Sequence, residues 1–252
     1  MKKIITTFIV GCITLLGANE IKPFGKFNFG DSFSSIHSSI CSIESIEKIS
    51  LQNDVHLFKA DFCKSKKNAL KLFDKYYANK FNQRMMEKIN MQGFNHLIWK
   101  PAMFIVADSV IIQGVKYKLW LEFNTTKEGV VGSYLLNQND SIKLDTKIMP
   151  MQLSNLELKL NNSDFNKVHQ ESVFKILWKK YDKFVKSSKD KERFLKTKTF
   201  HVEDKNKNSI RYDGYSINYD GLSYVLKLQT NAVTKYLKEQ AQNVDSGSSN
   251  DL

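Results

Sequence analysis

The apolar positions of this chain change period several times along its length. Leu70, Phe73, Tyr77, Phe81, Met85 and Ile89 recur at spacings of three and four. That spacing puts them on one face of a helix and predicts a first long helix over about 65–91. Gly93 stops it, and the aromatic stripe reads as core. After Pro101 the period becomes two. "AMFIVADSVII" is rich in β-branched residues, and "QG" is a tight turn with glycine in second place. In "VKYKLWLEF", Val115, Tyr117, Leu119, Leu121 and Phe123 alternate with Lys116, Lys118, Trp120 and Glu122. Such alternation marks a strand with one face buried. "GVVGSYLLN" then returns as a third strand, which gives a meander over about 102–138, extended by "SIKLDTKI" and "LELKL".

Helical spacing resumes at Ser163 and Asp164, which open a second long helix over about 164–187. Phe165, Val168, Ser172, Ile176 and Phe184 mark one face of it, widened by Val173, Leu177 and Tyr181. A lysine-heavy solvated surface continues through "KDKERFLKTK". The segments "TFHVED", "SIRY" and "YSINY" read as short strands, with "KNKN" and "DG" as turns. "LSYVLKLQ" reads as another strand and "NAVTKYLKEQAQN" as a short terminal helix. Upstream, residues 19–30 form an extended lead-in broken by Pro23, Gly25 and Gly30. Asp31 or Ser32 caps a short helix that aligns Phe33, Ile36 and Ile40. "EKISL" and "VHLFKADF" pair as a hairpin over about 47–62.

Helices interleaved with antiparallel strand groups define an α+β fold: an antiparallel sheet, made of the meander and the C-terminal strands, packed by the two long helices. Residues 19–241 form a single domain or two closely packed subdomains, with a boundary near 93–101 or 150–163. The polar tail 242–252 is expected to be disordered.

The N-terminal pattern concerns location rather than fold. Lys2 and Lys3 precede an apolar run from Ile4 to Leu16, and Gly17 and Ala18 are small. This matches a secretory leader. The run is shorter than the roughly 20 residues a membrane span needs. Residues 1–18 are therefore expected to be a cleaved signal peptide. The mature chain would start at Asn19, carry no transmembrane helix, and lie in the periplasm or outside the cell. The alternative is Ile9-Val10-Gly11-Cys12, which resembles a bacterial lipobox and would anchor the protein by lipid at Cys12. Against it, the apolar run before Cys12 is short and continues past it.

At 42% apolar and 12% aromatic residues, the chain can bury a core. Its formal charge is +12, but only Arg84, Arg193 and Arg211 are arginine. Sites that grip phosphate favour the bidentate fork of arginine. The lysine excess therefore reads as background composition, and nucleic acid is not an expected partner. No Walker loop, GxGxxG, HExxH, GxSxG or CxxC is present. The histidines 37, 56, 96, 169 and 201 are too dispersed for a local metal clamp. His169 reads as a helix-surface residue near Glu171. "DKNKNSIRYDGY" places Asp204, Asn206 and Asn208 like the first ligands of a calcium loop, but Ser209 and Tyr215 stand where glycine and glutamate are needed. It reads as a β-turn. Asp108 and Glu122 read as sheet residues rather than an acid–base pair. No catalytic residue, cofactor or metal site is expected.

Two features remain. Cys41 and Cys63 are the pair left once the leader is removed, and an oxidising compartment favours a disulfide between them. Two free thiols, or a reactive Cys63 beside Lys64, Lys66 and Lys67, are the alternatives. Trp120 shares the polar face of its strand with Lys116 and Lys118. It either packs under a helix or joins the two lysines as a contact surface. The expected function is that of a non-catalytic exported protein that binds an envelope protein, lipid or glycan. An envelope hydrolase of unrecognised type, or a secreted factor acting on a host, is the alternative.

Overall fold

The computed structural model describes residues 20–52, 55–75, 102–124, 151–160 and 166–228, with positions 231, 235 and 238. The predicted leader 1–18, the predicted helix beyond 75, the predicted strand within 125–138, "SIKLDTKI" and the tail 242–252 lie outside the described residues.

The fold is α+β. Among the described residues, eight strands form one antiparallel sheet in the order β2-β1-β3-β4-β5-β8-β7-β6. They are β1 (Lys48–Leu51), β2 (Val55–Phe58), β3 (Ala102–Ile112), β4 (Val115–Asn124), β5 (Gln152–Leu160), β6 (Phe200–Glu203), β7 (Ser209–Tyr212) and β8 (Ser216–Asp220). Gln113 and Gly114 both take positive φ, 52° and 78°, and close the β3–β4 turn as the sequence predicts. The "LELKL" segment lies in β5, which joins β4 on one side to β8 on the other.

One face of the sheet carries the core. Tyr117, Leu119, Leu121 and Phe123 of β4 are buried there with Leu156 and Leu158 of β5. Helix α1 (Phe33–Cys41) adds Phe33, Ile36 and Ile40, and its N-terminus is capped by the Ser32 hydroxyl. The helix over 66–75, α3, adds Ala69 and Phe73. Phe73 bridges the layers, with its ring centroid 4.2 Å from Phe33 and 5.3 Å from Phe123.

Several local predictions need correction. The first hairpin ends at Phe58, and residues Lys59–Lys64 form a short helix, α2, instead of continuing the strand. Its sequence, KADFCK, has no β-branched residue. Asp61 in the first turn and Lys64 in the last suit the helix dipole. Phe62 turns into the core, where its carbonyl accepts a 3.0 Å bond from His37 Nε2.

The second long helix is broken. Helix α4 spans Lys167–Tyr181, a 3-10 turn covers Asp182–Phe184, and helix α5 spans Ser188–Thr197. The break follows from a cap: the Ser187 hydroxyl accepts from the Asp190 amide at 3.0 Å and starts a new helix. The buried face of α4 is also one position round from the predicted one. Val168 and Ile176 are 77% and 48% exposed, whereas His169, Val173, Phe174, Leu177 and Tyr181 are buried. The face with Phe174 and Tyr181 removes more ring area from water than the Val168–Ile176 face. Phe165 lies outside the described residues.

"LSYVLKLQ" is helical, not extended, from residue 222 to 228 (α6). Asp220 accepts from the Leu222 amide at 2.8 Å and caps it. A side chain at Gly221 would strike the Phe29 ring, so glycine lets α6 seat on the N-terminal segment.

His169, expected on the surface, is buried and shares a 2.8 Å hydrogen bond with the Tyr117 hydroxyl. Burial lowers the His169 pKa and pushes the Tyr117 phenol up to about 12. The folded protein thus keeps His169 neutral where the unfolded chain takes up a proton. Stability contributed by this pair is fully present above the ordinary histidine value and falls as pH drops from about 6.5 towards the depressed native value. The expected outcome is that His169→Gln, which cannot titrate, narrows its stability deficit to wild type between pH 7.5 and 5.5. Urea midpoints at the two values check this. A deficit that does not change with pH would refute it.

Cys41 and Cys63 are joined, with Cα atoms 5.8 Å apart and a sequence separation of 22. The bond ties α1 to α2 rather than to a strand end. Closing a loop of this length contributes roughly 3 kcal/mol in the chain-entropy model. Cys41→Ser and Cys63→Ser are each expected to cost about 2–4 kcal/mol, and the double variant no more than either single. Denaturant titration measures the loss, and two free thiols in the unreduced protein would contradict the bond.

Candidate functional site on the polar face of the sheet

The face opposite the core is assembled by register. His56, Ser50, Val106, Trp120, Glu157, Asn218, Arg211 and His201 stand directly opposite one another on successive strands, from β2 through to β6. A parallel row contains Phe104, Glu122, Asn155, Asp220, Ser209 and Glu203. Lys118 and Lys159 pair in the row on the other side. The alternation that buries Leu119 and Leu121 sends these side chains the opposite way.

Over β5, β8, β7 and β6 this face forms a trough of about 780 Å³. Its floor holds Glu157, Asn218, Arg211 and His201, with Asn155 and Asp220 alongside. Arg193 and Thr197 of α5, with Thr199 after it, line its wall. The Thr197 and Thr199 hydroxyls lie 2.9 Å apart, and Arg193 pairs with Asp190 at 2.8 Å. The trough surface is mixed, with polar and apolar groups in about equal measure. Phe194, Phe200 and Tyr212, which also border it, are only 7%, 3% and 1% exposed. Two of its carboxylates have structural duties: Asp213 accepts from the Tyr215 and Ser216 amides, and Asp220 from the Leu222 amide.

The sequence-predicted contact residues do not converge on one cavity. Lys118 lines a second hollow, of about 510 Å³, with Lys48, His56, Phe58, Val106 and Asp108. Lys116 is exposed near the turn end of β4, opposite Ile111. Trp120 is half-buried between Val106 and Glu157, and its indole Nε1 is buried without a hydrogen-bond partner. Asp108 accepts from the Glu47 and Lys48 amides, both at 3.1 Å, and Glu122 accepts from the Asn124 side chain at 2.9 Å. The trough residues Arg193, Arg211, Asn218 and His201 were not singled out by motif. They fall within residues 193–218, where the local signal was the polar phase of each short strand, and only the β5–β8 pairing brings Glu157 and Asn155 to them.

Among the described residues no group of three histidine, cysteine or acidic side chains is arranged to hold a metal ion. The calcium-like loop shows a closed carboxylate. Asp204 is buried and accepts from the amides of Ile21, Asn206 and Asn208 and from the Asn208 side chain, at 2.8–3.0 Å. It pins the start of the described chain to the β6–β7 turn. No family model, curated protein or solved structure matches the chain.

Asp204→Ala is expected to cost roughly 2–4 kcal/mol, because it strands three buried amide donors. Addition of calcium is expected to leave the unfolding midpoint of the wild type where it is. Thermal melts with and without calcium test both statements, and a calcium-dependent rise would restore Asp204 as a ligand.

Proposed function

We propose that the protein is a non-catalytic exported binding protein that engages a component of the cell envelope on the polar face of its sheet. The observation that carries this reading is the trough floor, with one polar side chain supplied by each of four neighbouring strands. A rigid sheet holds such groups at set spacings, which suits recognition of an extended polar ligand. The same spacing works against acid–base chemistry within that row. Glu157 and His201 are three strands apart, roughly 14 Å at the usual strand spacing. Paired carboxyls in glycosidases act within about 5–9.5 Å of each other; Asp220, the diagonal neighbour of Glu157 at a distance of that order, is engaged instead by the Leu222 amide.

Export rests on the leader-like N-terminus. The Cys41–Cys63 disulfide is compatible with an oxidising compartment. No described helix is long and apolar enough to cross a membrane.

The test is retention of solubilised envelope material on the immobilised mature protein. The wild type is expected to hold a defined component, and an Arg211→Ala/Asn218→Ala double variant with unchanged urea midpoint is expected to lose it. Equal retention by both proteins would remove the trough from the reading. Release of cleaved envelope fragments would favour the hydrolase instead.

A further inference from the structure

We infer that the ligand of the trough is a neutral, polyhydroxylated oligosaccharide lying across the strands. This rests on the reading of the polar face as a binding surface and names what that surface takes. Glu157, Asn218, Arg211 and His201 are all planar groups, one on each of four adjacent strands. A carboxylate accepts through two oxygens, a guanidinium donates through a fork of N–H groups, and an amide does one of each. Neighbouring hydroxyls on a sugar ring are paired donors and acceptors, so such groups can engage them two at a time.

Spacing separates a glycan from a peptide. Steps along the row are about 4.8 Å, whereas an extended peptide advances about 3.3 Å per residue. A sugar chain advances by one ring length per unit, which is close to the strand spacing, and so stays in step with the row. A peptide laid the same way falls out of step after one residue.

Charge and surface texture narrow the class further. Arg193 and Arg211 share the trough with Glu157, Asp213 and Asp220, and Arg193 is also paired with Asp190. A polyanion therefore meets as much repulsion as attraction. The bordering rings are buried, so a nucleic-acid base finds no open face to stack on. Apolar surface is present in about equal measure, but an acyl chain laid along the floor would meet Glu157, Asn218, Arg211 and His201. Hydroxyl, amide and mixed-charge groups remain, and they suit a neutral polyol.

The test is titration calorimetry of the mature protein against neutral glucan and N-acetylglucosamine oligomers of increasing length. Dextran sulfate, poly-glutamate and a thymidine oligonucleotide serve as controls. One neutral series is expected to bind, with affinity rising to about four units, one for each strand of the row. Arg211→Ala and Asn218→Ala are expected to weaken it about tenfold each, the loss of one good hydrogen bond. Raising salt to the physiological level is expected to change affinity less than about twofold, because the contacts are to neutral groups. The inference falls if no neutral series binds, if a polyanion binds better with steep salt dependence, or if either variant binds as the wild type does. Retention of an envelope component together with failure of every oligosaccharide would overturn the ligand class and leave the binding face standing. Failure of both would remove both.

Discussion

The pairing of β4 between β3 and β5 is the constraint on which the rest of the molecule depends. Because side chains alternate along a strand, one residue of slip in this pairing would turn Leu119 and Leu121 to water and Lys118 and Trp120 into the core. Two irregularities adjust the register, one between Ala107 and Val110 and one between Glu122 and Phe123. The first is held from outside the strand. Asp108 takes the amides of Glu47 and Lys48, and the Ser45 hydroxyl donates to the Ser109 carbonyl at 2.8 Å. The approach to β1 is thereby fastened to the bulge, which extends the sheet on that side.

The remaining elements are attached to this sheet by a few buried pins. The disulfide locks α1 to α2. Asp204 gathers the Ile21 amide into the β6–β7 turn, and the Tyr181 hydroxyl donates to the Lys22 carbonyl at 3.0 Å. Burial raises the pKa of Tyr181, as it does that of Tyr219 close beside it. The Asp204–Ile21 and Tyr181–Lys22 bonds join residues more than 150 positions apart. Their value lies less in the bond formed than in the donor or acceptor left stranded when one partner is removed.

The same construction accounts for the character of the polar face. A strand whose inner residues must be apolar leaves only its outer residues for chemistry, one in two. Neighbouring strands then place those outer residues in rows. Catalysis within one row would need titratable partners on adjacent strands, but Glu157 is followed by Asn218 and Arg211 before His201 is reached. The row distributes hydrogen-bonding groups evenly, one per strand, instead of concentrating them.

Local periodicity was enough to determine the α+β class, the β3–β4 hairpin, the three short C-terminal strands and the first capped helix. Each of these depends on neighbours within one turn or one strand. The pairing of Cys41 with Cys63 followed from count and compartment. Tertiary structure decided which face of α4 is buried, because a helix with apolar groups on two adjacent faces turns the larger rings inward. It also decided that residues 59–64 and 222–228 are helical, where Phe62 and Val225 gain burial that a strand would not give them. The trough was beyond sequence reasoning. His201, Arg211 and Asn218 meet through the local β6–β7 and β7–β8 hairpins, but Glu157 joins them only through the β5–β8 pairing between distant segments, whose register no local signal sets. Trp120 was legible as an unusual residue on a polar face. Its unpartnered indole N–H is a consequence of packing around it, which its own strand does not encode.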